Sequence, residues 1–475
     1  MAVSNTDNII YKSVRPYIEE EFEITDFYSS VITLMFVGSC ATMAPILFYF
    51  WSTFTGLRVI SGIVAVMVMF GIGSTLVSEK SFWTFVLLRS LMESVKSHYL
   101  AAAPMLVAEL FDTDQRRKML TLLYILNTIG TFAGTFIGTY VASVIGTDWR
   151  MALRIAPVLD VVALVLLAAV MRKPGRGGFM LKAEIYQKRT KVYSDIFDLI
   201  LNRCLVFAVL GYAASMFIAN SMYTYAPNVL RNARMMSDNH QPCLTVDCTF
   251  DDRLIYGLCK CLATAIGIIL GVKINAHYKN RNPHGEPVVC IVALLVSVPL
   301  MCFGLFFVGI SSVVSQILFF LNGICLAMNK VLINEIIMMV VFPNRRAWSF
   351  TEKSIIGLLG KEGGEKEHLW VSGCLVFEKL QALVNRVNNL FVGWKWTCSI
   401  FKFMKINYSE SDLIQNHAME FILYICPFMA LVGAGCFCVT AKYFEYYKQN
   451  VEDFMNTPFT DVEQPLDTVE SSDTK

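Results

Sequence analysis

Charge is scarce in this chain. Asp, Glu, Lys and Arg make up 16% of the 475 residues, against about 25% in soluble domains, which excludes an ordinary soluble globular protein. Residues 1–21 are polar and lack an apolar core, so no cleavable signal pattern opens the sequence and the first hydrophobic segment must direct insertion itself. No phosphate-binding glycine loop, metal-histidine motif or nucleophile elbow is present, and no enzyme domain fits between the apolar segments, so neither enzymatic activity, a cofactor nor a bound metal is expected. The net charge of +2 identifies no partner, and no nucleic-acid partner is expected.

Apolar sequence is abundant, at 55% of residues, with a mean hydropathy of +0.52. The fold class is therefore an all-α polytopic membrane protein. Stretches of roughly 20 apolar residues suggest about ten spans, near 27–50, 57–78, 82–108, 119–145, 152–171, 204–229, 254–276, 288–309, 313–342 and 419–441. Basic residues gather in alternate connections: Arg116 to Lys118, the 173–203 segment, Lys279 with Arg281, and Arg345 with Arg346. The positive-inside rule puts these on the cytoplasmic side and the intervening loops outside it or in a lumen.

The 173–203 connection is long and basic, and it opens with Pro174, Gly175, Gly177 and Gly178. It divides an N-terminal bundle over 1–172 from a C-terminal bundle over 204–444, with an acidic, disordered tail over 445–475. Two bundles joined by a basic linker suit a transporter built from two repeats with its substrate between them.

Three charges stand inside an otherwise apolar span, Arg89, Glu93 and Lys96. Their i, i+4, i+7 spacing puts them on one helical stripe. Each charge at mid-membrane depth costs about 2.5 to 3.5 kcal/mol on insertion scales, so the stripe is either a substrate path or a self-neutralising structural network. With only Glu93 acidic against two bases, a further carboxylate or an anionic ligand is required. A second polar stripe, over 319–342, holds Asn322, Asn329, Lys330, Asn334 and Glu335; Lys330 and Asn334 share a face, with Glu335 about 140° round from Lys330.

Gly130, Gly134 and Gly138 form a ladder that admits a close helix neighbour, with Asn127 positioned to bond across the contact. Met216, Asn220, Tyr223 and Tyr225 could line a lipid path or form an interfacial belt, and Lys260 is expected to snorkel. Most of the 14 cysteines lie in apolar helices and act as small hydrophobes. Cys243 and Cys248, in a loop outside the cytoplasm, could form a disulfide in an oxidising compartment.

The runs APMLVAELFDTDQRRKML and ALRIAPVLD, the segment HGEPVVC, and Pro343 followed by Arg345 and Arg346 resemble the Spinster-type lipid transporters of the major facilitator superfamily. The resemblance covers about 7–346 and 419–447. It implies two six-helix bundles, twelve helices in all, alternating access, and export of lysophospholipid or sphingosine phosphate from a plasma or endolysosomal membrane. A cysteine pair like Cys243 and Cys248 also occurs in that family.

The chain departs from the pattern in several places. Phe48, Ser52 and Thr53 replace the residues of the family's cytosolic gate; Lys96 stands at a glutamate position, Glu93 at a glycine position and Lys330 at an aromatic one. Asp7 matches the first-helix aspartate, yet residues 1–20 look too polar for a full span, and no eleventh helix is recognisable over 347–418. A divergent member or an imperfect gene model accounts for this. The resulting expectation is a secondary transporter of amphipathic lipid, with Arg89, Lys96, Lys330 and Asn329 binding substrate and Asp7, Glu93 and Glu335 coupling protons. The alternatives are a transport-dead membrane interaction subunit and a transporter of sugars or organic anions.

Overall fold

A computed structural model describes residues 1–22, scattered positions between 32 and 43, and residues 56–78, 81–111, 113–144, 149–170, 198–236, 248–279, 285–363 and 412–456. Among these are eleven long helices: α1 (Ala2–Glu21), α2 (Gly56–Thr75), α3 (Phe82–Leu110), α4 (Thr113–Val144), α5 (Trp149–Val170), α6 (Arg203–Met236), α7 (Cys248–Lys279), α8 (Gly285–Phe307), α9 (Ser312–Val340), α10 (Arg346–Gly363) and α11 (Asp412–Asn456). Seven are long and apolar enough to cross a membrane on composition alone. Large apolar side chains such as Leu122, Val165, Ile266, Val292, Phe303 and Phe428 point outward from the bundles, the inverse of a soluble surface. The chain is an integral, multi-pass membrane protein.

α1 to α5 form one bundle, α6 to α11 the other. The first bundle is knitted by the glycine ladder. A Cβ at Gly130 would collide with the Ala2 carbonyl, one at Gly134 would lie 2.8 Å from the Thr6 carbonyl, and one at Gly138 would lie 2.6 Å from Ser13 Oγ. α1 therefore lies against α4 at backbone distance. Asn127 takes part through its carbonyl, which accepts from Asn5 Nδ2 at 3.2 Å; its side-chain oxygen makes no hydrogen bond. In the second bundle Gly267 and Gly271 do the same for α7 against α9.

Two expectations need correction here. Residues 2–21 form a complete 20-residue helix, about 30 Å long, though it is not among the seven that are apolar enough to cross on composition. Its Ile10, Val14 and Ile18 are buried in the bundle core, while Asn5, Asn8 and Lys12 face a central cavity. Averaged hydropathy misses such a helix because its polar residues point inward. Similarly, the segment after Arg346 carries α10, packed on α6 and α3; a Cβ at Gly357 would lie 2.8 Å from the Tyr212 ring. The 27–50 span falls mostly outside the described residues. Residues 171–197 of the linker, the tail after 456, Phe48, Ser52, Thr53, and the Cys243 and Cys248 side chains fall outside them altogether; the linker's end at 198–201 is helical, and residues 445–456, expected as disordered tail, instead continue α11.

Candidate substrate cavity between the two bundles

The charged stripe of α3 finds its missing carboxylate on α1. Arg89 donates to both oxygens of Asp7, Nη2 at 2.8 Å and Nη1 at 3.3 Å, and lies 3.4 Å from Glu93. Lys96 Nζ donates to the same Asp7 at 2.9 Å and to Glu93 at 2.5 Å. Two cations and two carboxylates thus form a closed tetrad, with the Tyr11 ring 4.5 Å from the Arg89 guanidinium. Asp7 is fully buried and Arg89 is 1% exposed. Neither lines the cavity, whereas Glu93 and Lys96 do. Arg89 is thus paired with Asp7 and Glu93 behind the cavity wall.

The cavity, of about 250 Å³, lies between the bundles. Its first wall comes from α1, α3 and α4, including Lys12, Arg15, Glu93, Lys96, Tyr124 and Asn127. Arg15 is itself paired with Glu19 at 2.6 Å. Its second wall comes from α6, α7, α9 and α10 and carries four lysines, Lys260, Lys330, Lys353 and Lys361. Among the described residues this wall contributes no carboxylate. Lys353 donates to Asn334 Oδ1 at 2.5 Å and to Tyr124 Oη, across the bundle boundary, at 3.5 Å. The Lys330 ammonium has neither a hydrogen-bond nor an ion-pair partner among the described residues, while its carbonyl accepts from Asn334 Nδ2 at 2.8 Å. Lys260 sits 3.7 Å from the centre of the Tyr223 ring and turns into the cavity where snorkelling was expected. Met216, Asn220 and Tyr223 also line it, while Tyr225 is buried in the core.

Two further residues fall elsewhere. Glu335 accepts from Arg117 Nε at 2.8 Å and from Asn275 Nδ2 at 3.4 Å, joining α4 to α9 at the end of the molecule that carries Arg116, Arg345 and Arg346. Asn329 is buried, off the cavity wall, and neither of its side-chain polar atoms has a hydrogen-bond partner among the described residues. Sequence reasoning missed Lys353 and Lys361, which stand i, i+8 on α10, and Lys12 and Arg15 on α1. The signal was available as basic residues on one helical face of each segment, but both segments had been read as too polar to span.

Two helical bundles around a buried, charged cavity define a secondary transporter that works by alternating access between them. Comparisons with known proteins agree. Residues 1–352 match the profile of the Major Facilitator Superfamily. Protein spinster homolog 1 of Homo sapiens is 30% identical over 442 residues, covering 92% of this chain and 78% of that protein; the Xenopus tropicalis homologue is 27% identical over 449 residues, covering 94% and 80%. The crystal structure of a bacterial homologue of the human lysosomal transporter Spinster, inward-facing and unoccupied, superposes with a TM-score of 0.60 at 13% identity, covering 94% of this chain and 95% of that one. A proton:xylose symporter superposes at 0.57 and 11% identity, covering 91% and 92%. The chain belongs to the Major Facilitator Superfamily and, within it, to the Spinster group.

Proposed function

We propose that this transporter moves an anionic, amphipathic lipid, either a lysophospholipid or sphingosine phosphate, across a plasma or endolysosomal membrane. The observation that carries the reading is the pair Lys330 and Lys353 on the second wall, which face the cavity with no carboxylate partner among the described residues. Cations held together away from water repel one another and lose hydration, so a cavity built this way favours an anion entering it. A sugar would leave that charge unanswered. Lys330 and Lys353 bind the headgroup in this reading, and Lys96 approaches it from the first wall. Arg89 and Asp7 act at one remove by holding Glu93 and Lys96 in place, Glu335 holds the basic end shut, and Asn329 supports the helix that carries Lys330.

Glu93, which lines the cavity and is 13% exposed, is the candidate for proton coupling in this reading, and an anion drawn to Lys96 would compete with it for the same ammonium. The test is release of labelled sphingosine phosphate and lysophospholipid from cells making this chain, at two external pH values, beside Lys330→Gln. Release that depends on Lys330 supports the reading. No release from protein shown to reach a membrane would move the assignment to an interaction subunit without transport, although that alternative loses ground with α1 and α10 both in place.

A further inference from the structure

Asn334 stands one turn after Lys330 on α9 and is fully buried. Its Nδ2 donates to the Lys330 carbonyl at 2.8 Å and to Tyr124 Oη at 2.9 Å, while its Oδ1 accepts from Lys353 Nζ at 2.5 Å. An ammonium cannot accept and a carbonyl cannot donate, so the amide has one orientation only. Towards Tyr124 it must present a donor.

The consequence falls on Tyr124, which belongs to α4 in the first bundle. Its oxygen accepts from Asn334 and, at 3.5 Å, from Lys353. Both neighbours are donors, so neither can receive the phenol proton. This hydroxyl makes no other hydrogen bond among the described residues. Tyr124 is 9% exposed, and a buried donor without an acceptor costs about 1–3 kcal/mol. Tyr124 and Lys353 line the cavity whereas Asn334 lies off its wall, so an acceptor can meet that proton from the cavity side.

The two lysines are prepared in the same way. Lys353 is held by Asn334 and by the rings of Tyr212 and Phe350, whose centres are 5.1 and 5.5 Å away, and the Lys330 ammonium is unpaired among the described residues. Side chains from α4, α9 and α10 thus offer protons to one space, and none of the three can accept from another's spare N–H or O–H.

We propose that Tyr124 is a cargo-binding residue, whose phenol donates to an anionic oxygen of the cargo while Lys330 and Lys353 hold the same group from the other bundle. The proposal rests on the anionic reading above and adds a neutral donor from the first bundle. A phosphate group suits it, because several oxygens rich in lone pairs can meet donors arriving from separate helices. Cargo bound this way touches both bundles at its headgroup.

The test uses the full-length protein in amphipol and n-decyl phosphate as the probe, at slightly acidic pH, where the phenol keeps its proton. Tyr124→Phe keeps the ring and should weaken binding about tenfold or more. Replacing Tyr124 by 3-fluorotyrosine makes the hydroxyl a stronger donor and a weaker acceptor, so affinity should rise above wild type. A Tyr124 that only accepts from Asn334 and Lys353 gives the opposite sign, with affinity and thermal midpoint falling together. Binding unchanged in Tyr124→Phe, or unchanged or weaker with 3-fluorotyrosine, would overturn the role of Tyr124 while leaving the anion site standing. Failure of the probe to bind wild type would sink the anionic reading, and this role with it.

Discussion

The two walls of the cavity use basic residues in opposite ways. On the first wall Lys96 is answered by Glu93 and by the buried Asp7, which also pairs with Arg89 behind the wall, and Arg15 is answered by Glu19. On the second wall Lys330 and Lys353 face the cavity with no carboxylate partner among the described residues. A buried pair with good geometry fixes structure, and removing one partner costs about 3–5 kcal/mol because the other is left uncompensated. A buried cation without a counter-charge instead costs stability and is retained for what it binds. The difference separates charge that holds the bundle from charge that receives cargo.

That comparison can be broken first at Arg89. Arg89→Ala leaves the tetrad with two carboxylates and one cation, and should cost about 3–5 kcal/mol, read as a large fall in thermal midpoint and in the amount of folded protein. A shift below about 1 kcal/mol would make the tetrad dispensable. Next in size is the second wall: Lys330→Gln and Lys353→Gln should each weaken binding of an anionic amphiphile about tenfold or more, while the thermal midpoint stays level or rises. A fall in stability with unchanged binding would reverse the roles given to the two walls.

The tetrad can be sharpened by a cycle. Lys96→Glu alone sets three carboxylates against Arg89, whereas Glu93→Lys with Lys96→Glu keeps the net charge; the double variant should recover about 1–3 kcal/mol of the loss, measured by chemical denaturation in detergent. Additive effects would mean that the two side chains do not interact. The smallest effect is expected at the basic end. Arg117 is 22% exposed but Glu335 only 4%, and Asn275 still donates to that carboxylate, so Arg117→Ala should cost about 1–2 kcal/mol, seen as faster hydrogen exchange at the start of α4 and the end of α9. Exchange unchanged at both ends would remove the Arg117–Glu335 pair from the closure.

Much of this was legible in the sequence. The apolar runs place α2 to α9 and α11 because each has enough lipid-facing surface to lift its average hydropathy. The stripe of Arg89, Glu93 and Lys96 was visible from helical spacing, as was the inward placing of Lys330 from its central position in α9. α1 and α10 were not visible as spans. Both line the cavity, so Asn5, Asn8 and Lys12 in one, and Lys353 and Lys361 in the other, dilute the apolar signal with residues that never meet lipid. The match of Asp7 to Arg89 bridges 82 positions, and no local spacing encodes a contact made by packing two helices.

The most direct test of the central claim compares two labelled ligands with the same alkyl chain, one ending in a phosphate and the other in a hydroxyl, bound to the purified wild-type protein and to Lys330→Gln/Lys353→Gln. The account predicts that the phosphate binds at least about tenfold tighter to wild type and that the gap closes in the double variant. Equal affinity for the two ligands in the wild-type protein would contradict it.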